Sequence, residues 1–305
     1  MAVVATGFFD GVHLGHRLVI RQLVGAAAER GTASAIVTFW PHPRTVLQNG
    51  ARDLRLLNSL AEKQALLKGL GVDRVEVVPF TRAFSRMTTE AYLRDFLIGE
   101  LGADTLLLGY DNRMGCDAGT PDQIQAVAER LGLEVIRTDR VDRGAVTVSS
   151  TKIRETLCAG AVEEAAAMLG YPYSLFGVVV AGNRLGRTIG FPTANMQLYE
   201  PLKLVPGGGV YRVRVETLGE TFDGMCNIGV RPTVGCSNAR TVETHIFGFD
   251  QDIYGLDIRV TFLEKLRDER RFESLEALRG QLVADRLRCM EACGFSSEKT
   301  GNPGK

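Results

Sequence analysis

The feature that most restricts the fold is a change of texture near Gly170. Up to that point short apolar runs alternate with amphipathic segments. Ala2–Thr6 reads as a strand and 15–30 as a helix ended by Gly31, then 34–39 is apolar, 59–70 is helical with Gly71 behind it, and 72–78 is apolar again. The cycle continues with a helix over 89–101, a buried strand at Thr105–Leu108, and Thr120-Pro121-Asp122-Gln123, a capping box with proline at the first helical position. Such alternation predicts a parallel sheet covered on both faces, with ligands beyond the carboxyl ends of its strands. After a helical stretch over 151–169 the helical period vanishes. Strand-like runs at 176–180, 210–217, 221–228, 241–249 and 256–262, punctuated by Gly, Pro and Asn, predict an antiparallel barrel or sandwich, followed by a helix over 274–293 closed by Gly294. The expected division is therefore 1–169, 170–295 and a polar, disordered tail at 296–305.

Length agrees with two domains, because 305 residues exceed what one core usually fills. Hydrophobic residues at 45% and charged residues at 24% match a soluble globular chain, and no apolar run reaches the ~18 residues of a membrane span. Lys plus Arg equals Asp plus Glu at 36 each, so no global positive field draws the chain to nucleic acid or an anionic membrane. Any phosphate binding must be local. Six cysteines without a C-x-x-C pair read as reduced, structural thiols, and a cytoplasmic location follows.

The first local phosphate candidate is Gly7-Phe8-Phe9-Asp10-Gly11-Val12-His13-Leu14-Gly15-His16, between the first strand and the first helix. Glycines let backbone approach an anion, and the helix adds unpaired N–H groups and the positive end of its dipole. His13 and His16 can both donate to phosphate oxygens. The loop lacks the G-K-[ST] of a P-loop, and the chain lacks the H-E-x-x-H of a zinc protease. His42, in Pro41-His42-Pro43, follows a second strand. Val148-Ser149-Ser150-Thr151-Lys152-Ile153-Arg154 places hydroxyls and cations at a helix start, which suits a triphosphate whose pyrophosphate departs; by itself S-S-T would also serve as a cap.

The glycine turn with H-x-G-H resembles the nucleotidyltransferase superfamily. Together with Ser149 to Arg154, 38–44 and 108–115, it is similar to the FMN adenylyltransferase module of the bacterial bifunctional riboflavin kinase/FMN adenylyltransferase family, the FAD synthetases. The resemblance implies catalytic roles for His13 and His16, ATP contacts from Gly7, Asp10, Gly11, Gly15, Ser150, Thr151 and Arg154, and a flavin contact from Asp111.

In the β-rich half, Gly186-Arg187-Thr188-Ile189-Gly190-Phe191-Pro192-Thr193-Ala194-Asn195 combines flexibility, a cation and two neutral oxygens at extended spacing, a set suited to phosphate and Mg²⁺ and also ordinary in a turn. It is similar to the riboflavin kinase signature G-F-P-T-A-N. By that resemblance Glu243 is the general base, Thr193 and Asn195 hold Mg²⁺, Gly186 and Arg187 contact ATP, and Asn227, Arg231 and Arg267 contact flavin. His245 lies two residues on along the same strand face and is expected to support Glu243.

The implied fold is thus a Rossmann-like α/β nucleotidyltransferase domain followed by a mainly β riboflavin kinase barrel with a terminal helix. The implied activity is phosphorylation of riboflavin to FMN and adenylylation of FMN to FAD, with ATP as co-substrate, Mg²⁺ as cofactor and small molecules as partners, without nucleic acid or membrane; a weak homo-oligomer is left open. Phe8, Trp40, Asn112, Met114 and Lys152 depart from the family pattern, and Cys116-Asp117-Ala118-Gly119 lacks its usual basic residues. An alternative is therefore a riboflavin kinase whose first half is impaired or takes another acceptor. The chain begins directly at its first strand where relatives usually carry a short extension, so a truncated start is also left open.

Overall fold

The computed structural model describes residues 1–47, 54–109, 112–138, 148–182, 185–230 and 240–292. They fall into two compact units, Met1–Lys152 and Ile153–Lys305. Strands β1 (Ala2–Thr6), β2 (Ala33–Trp40), β3 (Arg74–Pro79), β4 (Thr105–Leu108) and β5 (Glu134–Arg137) form a parallel sheet in the order β3-β2-β1-β4-β5. All five residues of β1 are buried, as a strand covered on both faces requires. Val3 and Ala5 enter one core with Ile20, Leu23 and Leu67, and Ala2 and Val4 enter the other with Leu93, Leu97 and Ile124. That is the period-2 alternation of a strand. At about 2–5 kcal/mol for a buried Leu cut to Ala, either core is sensitive to one substitution.

The helices of this unit are α1 (Leu14–Arg30), α2 (Pro43–Leu47), which buries no residue, α3 (Leu60–Gly69), α4 (Thr89–Ala91, continued by π-helical Tyr92–Glu100) and α5 (Pro121–Arg130). Their ends follow local signals. Gly31 closes α1 at φ 62°, and capping boxes open α3 (Ser59 with Glu62) and α5 (Thr120 with Gln123), each cap contributing about 1 kcal/mol. The sheet winds outward in both directions from the β1/β4 boundary, so its ligand crevice lies beyond the carboxyl ends of those strands.

The 151–169 stretch is two helices, α6 (Ser150–Cys158) and α7 (Val162–Leu169). They part at Gly160, whose φ is 82° and where a Cβ would stand 2.7 Å from the Tyr211 hydroxyl. The unit division falls at Lys152, in the first turn of α6, whereas sequence texture changes near Gly170. The later part of α6 and all of α7 group with the barrel because they bond to it: Gly207 N–H donates to the Leu157 carbonyl at 2.8 Å, and Lys265 N–H reaches Glu163 at 3.5 Å. The expected tail at 296–305 and Gly294 lie outside the described residues.

In the second unit β6 (Ser174–Val180), β7 (Ala194–Leu198), β8 (Gly209–Thr217), β9 (Glu220–Val230), β10 (Arg240–Ile246) and β11 (Asp257–Arg267) close an antiparallel barrel in the order β10-β7-β6-β11-β8-β9. The single-turn α8 (Leu185–Thr188) precedes β7. Val213, Val215, Cys226, Ile228, Val242 and Val260 are buried on the inward face. The terminal helix α9 (Leu275–Ala292) packs on the outside, where Cys289 and Leu282 join Phe191, Val210, Met225 and Leu266. Arg267 on β11 and Asp285 on α9 pair at 2.8 Å and pin the helix there.

Candidate active sites

The turn between β1 and α1 is held in a conformation the chain would not adopt alone. Phe9 (φ 52°) and Val12 (φ 37°) both occupy the left-handed region, which β-branched valine strongly disfavours. The restraints are long-range. Both Asp10 carboxylate oxygens accept the Leu57 N–H (3.0 and 3.1 Å), and one also accepts the Asn58 N–H (3.2 Å). The Gly7 N–H donates to the Val37 carbonyl at 3.0 Å, and the Arg17 guanidinium donates to the Val12 carbonyl at 3.2 Å. Asp10 therefore anchors the turn, and it does so through its side chain.

His13 caps α1, accepting the His16 N–H at 3.4 Å, and the two imidazoles stack with centroids 3.7 Å apart. Gly15 lies so close that a Cβ there would meet the His13 ring at 3.2 Å. Burial, then His13 and Lys63, hold the His16 imidazole well below its ordinary range, so it is neutral at physiological pH. Its Nδ1 is buried without a hydrogen-bond partner among the described residues. A neutral ring beside exposed helix N–H groups can donate to a phosphate without carrying a charge of its own.

Ser150 joins this turn from far along the chain, its hydroxyl donating to the Asp10 carbonyl at 2.8 Å. Gly7, Asp10, Gly11, His13, Gly15, His16 and Ser150 are thus brought together, with exposed Thr151 beside them on α6. Arg154, one turn further along α6, falls in the second unit. Asp111 lies outside the described residues. Asn112 donates to the Thr6 carbonyl at the end of β1 (3.4 Å), which ties the loop after β4 to the crevice. In the divergent 115–119 turn, Asp117 accepts both the N–H and the hydroxyl of Thr89 (2.9 and 2.8 Å), and these bonds lower its pKa. Asp117 here fastens the turn to the start of α4. Lys63 is the residue the sequence reading missed: it is buried, with its Nζ at 2.9 Å from the Phe8 carbonyl. The available signal was a lysine on the inward stripe of α3, one turn before buried Leu67.

The second site lies on the barrel wall. On β10 Glu243 stands in register with Asn195 of β7 on one side and Asn227 of β9 on the other. Directly opposed residues of adjacent strands share a face, so three polar side chains line up between apolar neighbours. Glu243 and Asn227 line a cavity of about 320 Å³ between this wall and α9. A second cavity of about 330 Å³, lined by Arg187, Thr244 and Tyr254, shares Thr193 with the first. Gly186 borders the first cavity and Arg187 the second.

The turn carrying Thr193 is strapped to the wall. His245 Nδ1 donates to the Pro192 carbonyl at 2.8 Å, and its ring packs on Phe191. Burial, and secondarily Arg286, lower the His245 pKa against the opposing Pro192 bond. His245 thus positions the Thr193 turn. Thr193, Asn195 and Glu243 supply oxygen donors of the kind a hard divalent cation takes. The approach there is tight, since a Cβ at Gly182 would lie 2.2 Å from the Asn195 amide. Arg267 borders the same cavity while its guanidinium is engaged by Asp285. Arg231 lies outside the described residues.

In comparison with known proteins, two family models match successive parts of the chain. The FAD synthetase family model matches residues 1–152 and the riboflavin kinase family model residues 169–293. Proteins named bifunctional riboflavin kinase/FMN adenylyltransferase are similar over most of their length. The one from Listeria monocytogenes is 38% identical, covering 93% of this chain and 90% of that one, and the one from Escherichia coli K12 is 36% identical, covering 96% and 93%. A crystal structure described as a macrolide-efflux protein from Streptococcus pneumoniae superposes with a TM-score of 0.87 at 32% identity, covering 97% of this chain and 95% of that one. Among the described residues here, no helix is long and apolar enough to cross a membrane.

Proposed function

The chain belongs to the bifunctional riboflavin kinase/FMN adenylyltransferase family, and from that premise we propose that its barrel phosphorylates riboflavin to FMN while its α/β unit converts FMN to FAD. The observation that carries the kinase half is Glu243, set in register between Asn195 and Asn227 and lining with Asn227 a cavity that meets a second one at Thr193. A flavin in the first cavity and ATP in the second would present the ribityl 5′-hydroxyl and the γ-phosphate to each other across Thr193. Glu243 takes the hydroxyl proton as the new P–O bond forms and ADP leaves. Thr193 and Asn195 would hold Mg²⁺, which when bound neutralises charge on the phosphates. Asn227, Arg231 and Arg267 orient the flavin, and Gly186 and Arg187 the nucleotide.

In the α/β unit an FMN phosphate oxygen attacks the α-phosphate of ATP, forming the P–O–P link of FAD and releasing pyrophosphate. The FMN phosphate is already ionised at neutral pH, so no protein nucleophile is needed and catalysis rests on orientation and charge stabilisation. In this reading His13, His16 and the turn N–H groups bind the phosphates, Ser150, Thr151 and Arg154 are ATP contacts, and Asp111 is a flavin contact. The divergent 115–119 turn is bonded to α4 through Asp117. Small molecules are the only partners of this reading, the location is cytoplasmic, and any homo-oligomer is weak. Chromatography of the products from riboflavin, ATP and Mg²⁺ tests it: FMN followed by FAD is expected, and FMN alone from a chain that also fails to use supplied FMN would overturn the second half.

A further inference from the structure

Lys63 is the fourth residue of α3 and is 1% exposed. Neither helix nor core asks for it: a cation near a helix N-terminus opposes the dipole, and an ammonium in an apolar layer persists only where nearby oxygens take its protons. Those oxygens come from two other elements. Nζ donates to the Phe8 carbonyl and to the Thr38 hydroxyl of β2, each at 2.9 Å. The Thr38 hydroxyl in turn donates to the same Phe8 carbonyl at 3.1 Å. The Phe8 ring lies 3.8 Å from Nζ, adding a cation–π contact.

We propose that Lys63 is a positioning residue for adenylyl transfer: its ammonium clamps the Phe8 carbonyl to Thr38, fixing the start of the turn, and sets a positive charge behind the loop that receives the triphosphate. The proposal rests on the reading that this turn is the adenylyl-transfer site. It accounts for how Phe9, the next residue, is kept at φ 52°. The charged and titratable groups facing Lys63 are Asp10 on the turn, His16 on α1 and, across the Phe8 ring, His42. Burial outweighs the favourable Asp10 carboxylate and brings the ammonium down to about 8. It is charged at pH 7, and its field helps keep His16 neutral.

The test compares full-length wild type, K63M, K63R and H16A in FAD formation from FMN and MgATP, with riboflavin phosphorylation in the same preparation as the folding control. K63M should lower kcat/KM for ATP in FAD formation by about 30-fold and leave phosphorylation unchanged. Wild-type kcat/KM should fall as pH rises through about 8, where the ammonium is lost, K63M should be flat there, and K63R should extend the plateau because arginine keeps its charge. In K63M the His16 ring, followed by NMR, should titrate at higher pH than in wild type. Wild-type kcat/KM in K63M, or loss of activity with the alkaline limb intact, would overturn the proposal. Should K63M fail to fold, a K63R limb coinciding with that of wild type would overturn it equally. Undiminished FAD formation by H16A would instead overturn the assignment of the turn, and the role of Lys63 with it.

Discussion

The two units hold their phosphate-handling residues by opposite means. In the α/β unit they sit on an irregular turn with side-chain residues at positive φ, kept in place by contacts from residues 37, 57, 58, 63 and 150. In the barrel the ladder itself sets Glu243 between Asn195 and Asn227 on regular strands, and the adjoining Thr193 turn takes one strap, from His245. A turn is adaptable in shape but needs clamps from elsewhere, and each clamp is a further point of failure. A strand site needs fewer clamps, because closure of the barrel fixes the register. Damage outside the reacting groups should therefore cost the first site more than the second.

The largest expected effect is at the strand site itself. E243Q should lower FMN formation about 10³-fold, the loss typical of removing a general base, while FAD synthesis from supplied FMN is retained; equal loss of both activities would break the separation between the units. Next, H16A should lower FAD formation about 100-fold with FMN still accumulating, measured by product chromatography. A structural effect follows. D285A leaves the Arg267 guanidinium without its carboxylate, and the second unit should lose about 3 kcal/mol in urea denaturation, with a raised KM for riboflavin because α9 lines that cavity.

The smallest effect separates the units by pH. The folded-state pKa of His16 lies well below the ordinary 6.5, so on acidification the unfolded chain binds a proton that the folded unit refuses. Stability is complete above pH 6.5 and declines as pH falls from there toward the folded value. His245 has the same sign, opposed in part by its Pro192 bond. Urea midpoints of the first unit should thus fall more steeply on acidification than those of the second, and H16Q should flatten the first slope. Parallel slopes in wild type would remove this difference between turn and strand.

Much of this was legible locally. The Thr120–Gln123 box caps α5 as expected, Gly31 ends α1, and β1 and β4 have the predicted bounds, because capping and short buried strands are decided by residues adjacent in sequence. β7 was not legible: A-N-M-Q-L has no clear alternation and becomes a strand only by pairing with β6 and β10. β5 was hidden in the same way, since E-V-I-R is a strand by virtue of pairing with β4. The break at Gly160 follows from the nearness of Tyr211, 51 positions away in the chain.

The two textures, the helix caps, and the two motifs that carry the family and both phosphate-rich segments are written in neighbouring residues. Long-range packing, by contrast, makes the carboxylate of Asp10 an anchor, straps the Thr193 turn with His245, fastens the divergent loop with Asp117, and buries Lys63 against Phe8 and Thr38. Each of these depends on which distant oxygen or N–H a side chain meets. A polar residue carries the capacity to bond in its own formula, but its partner is chosen by long-range packing.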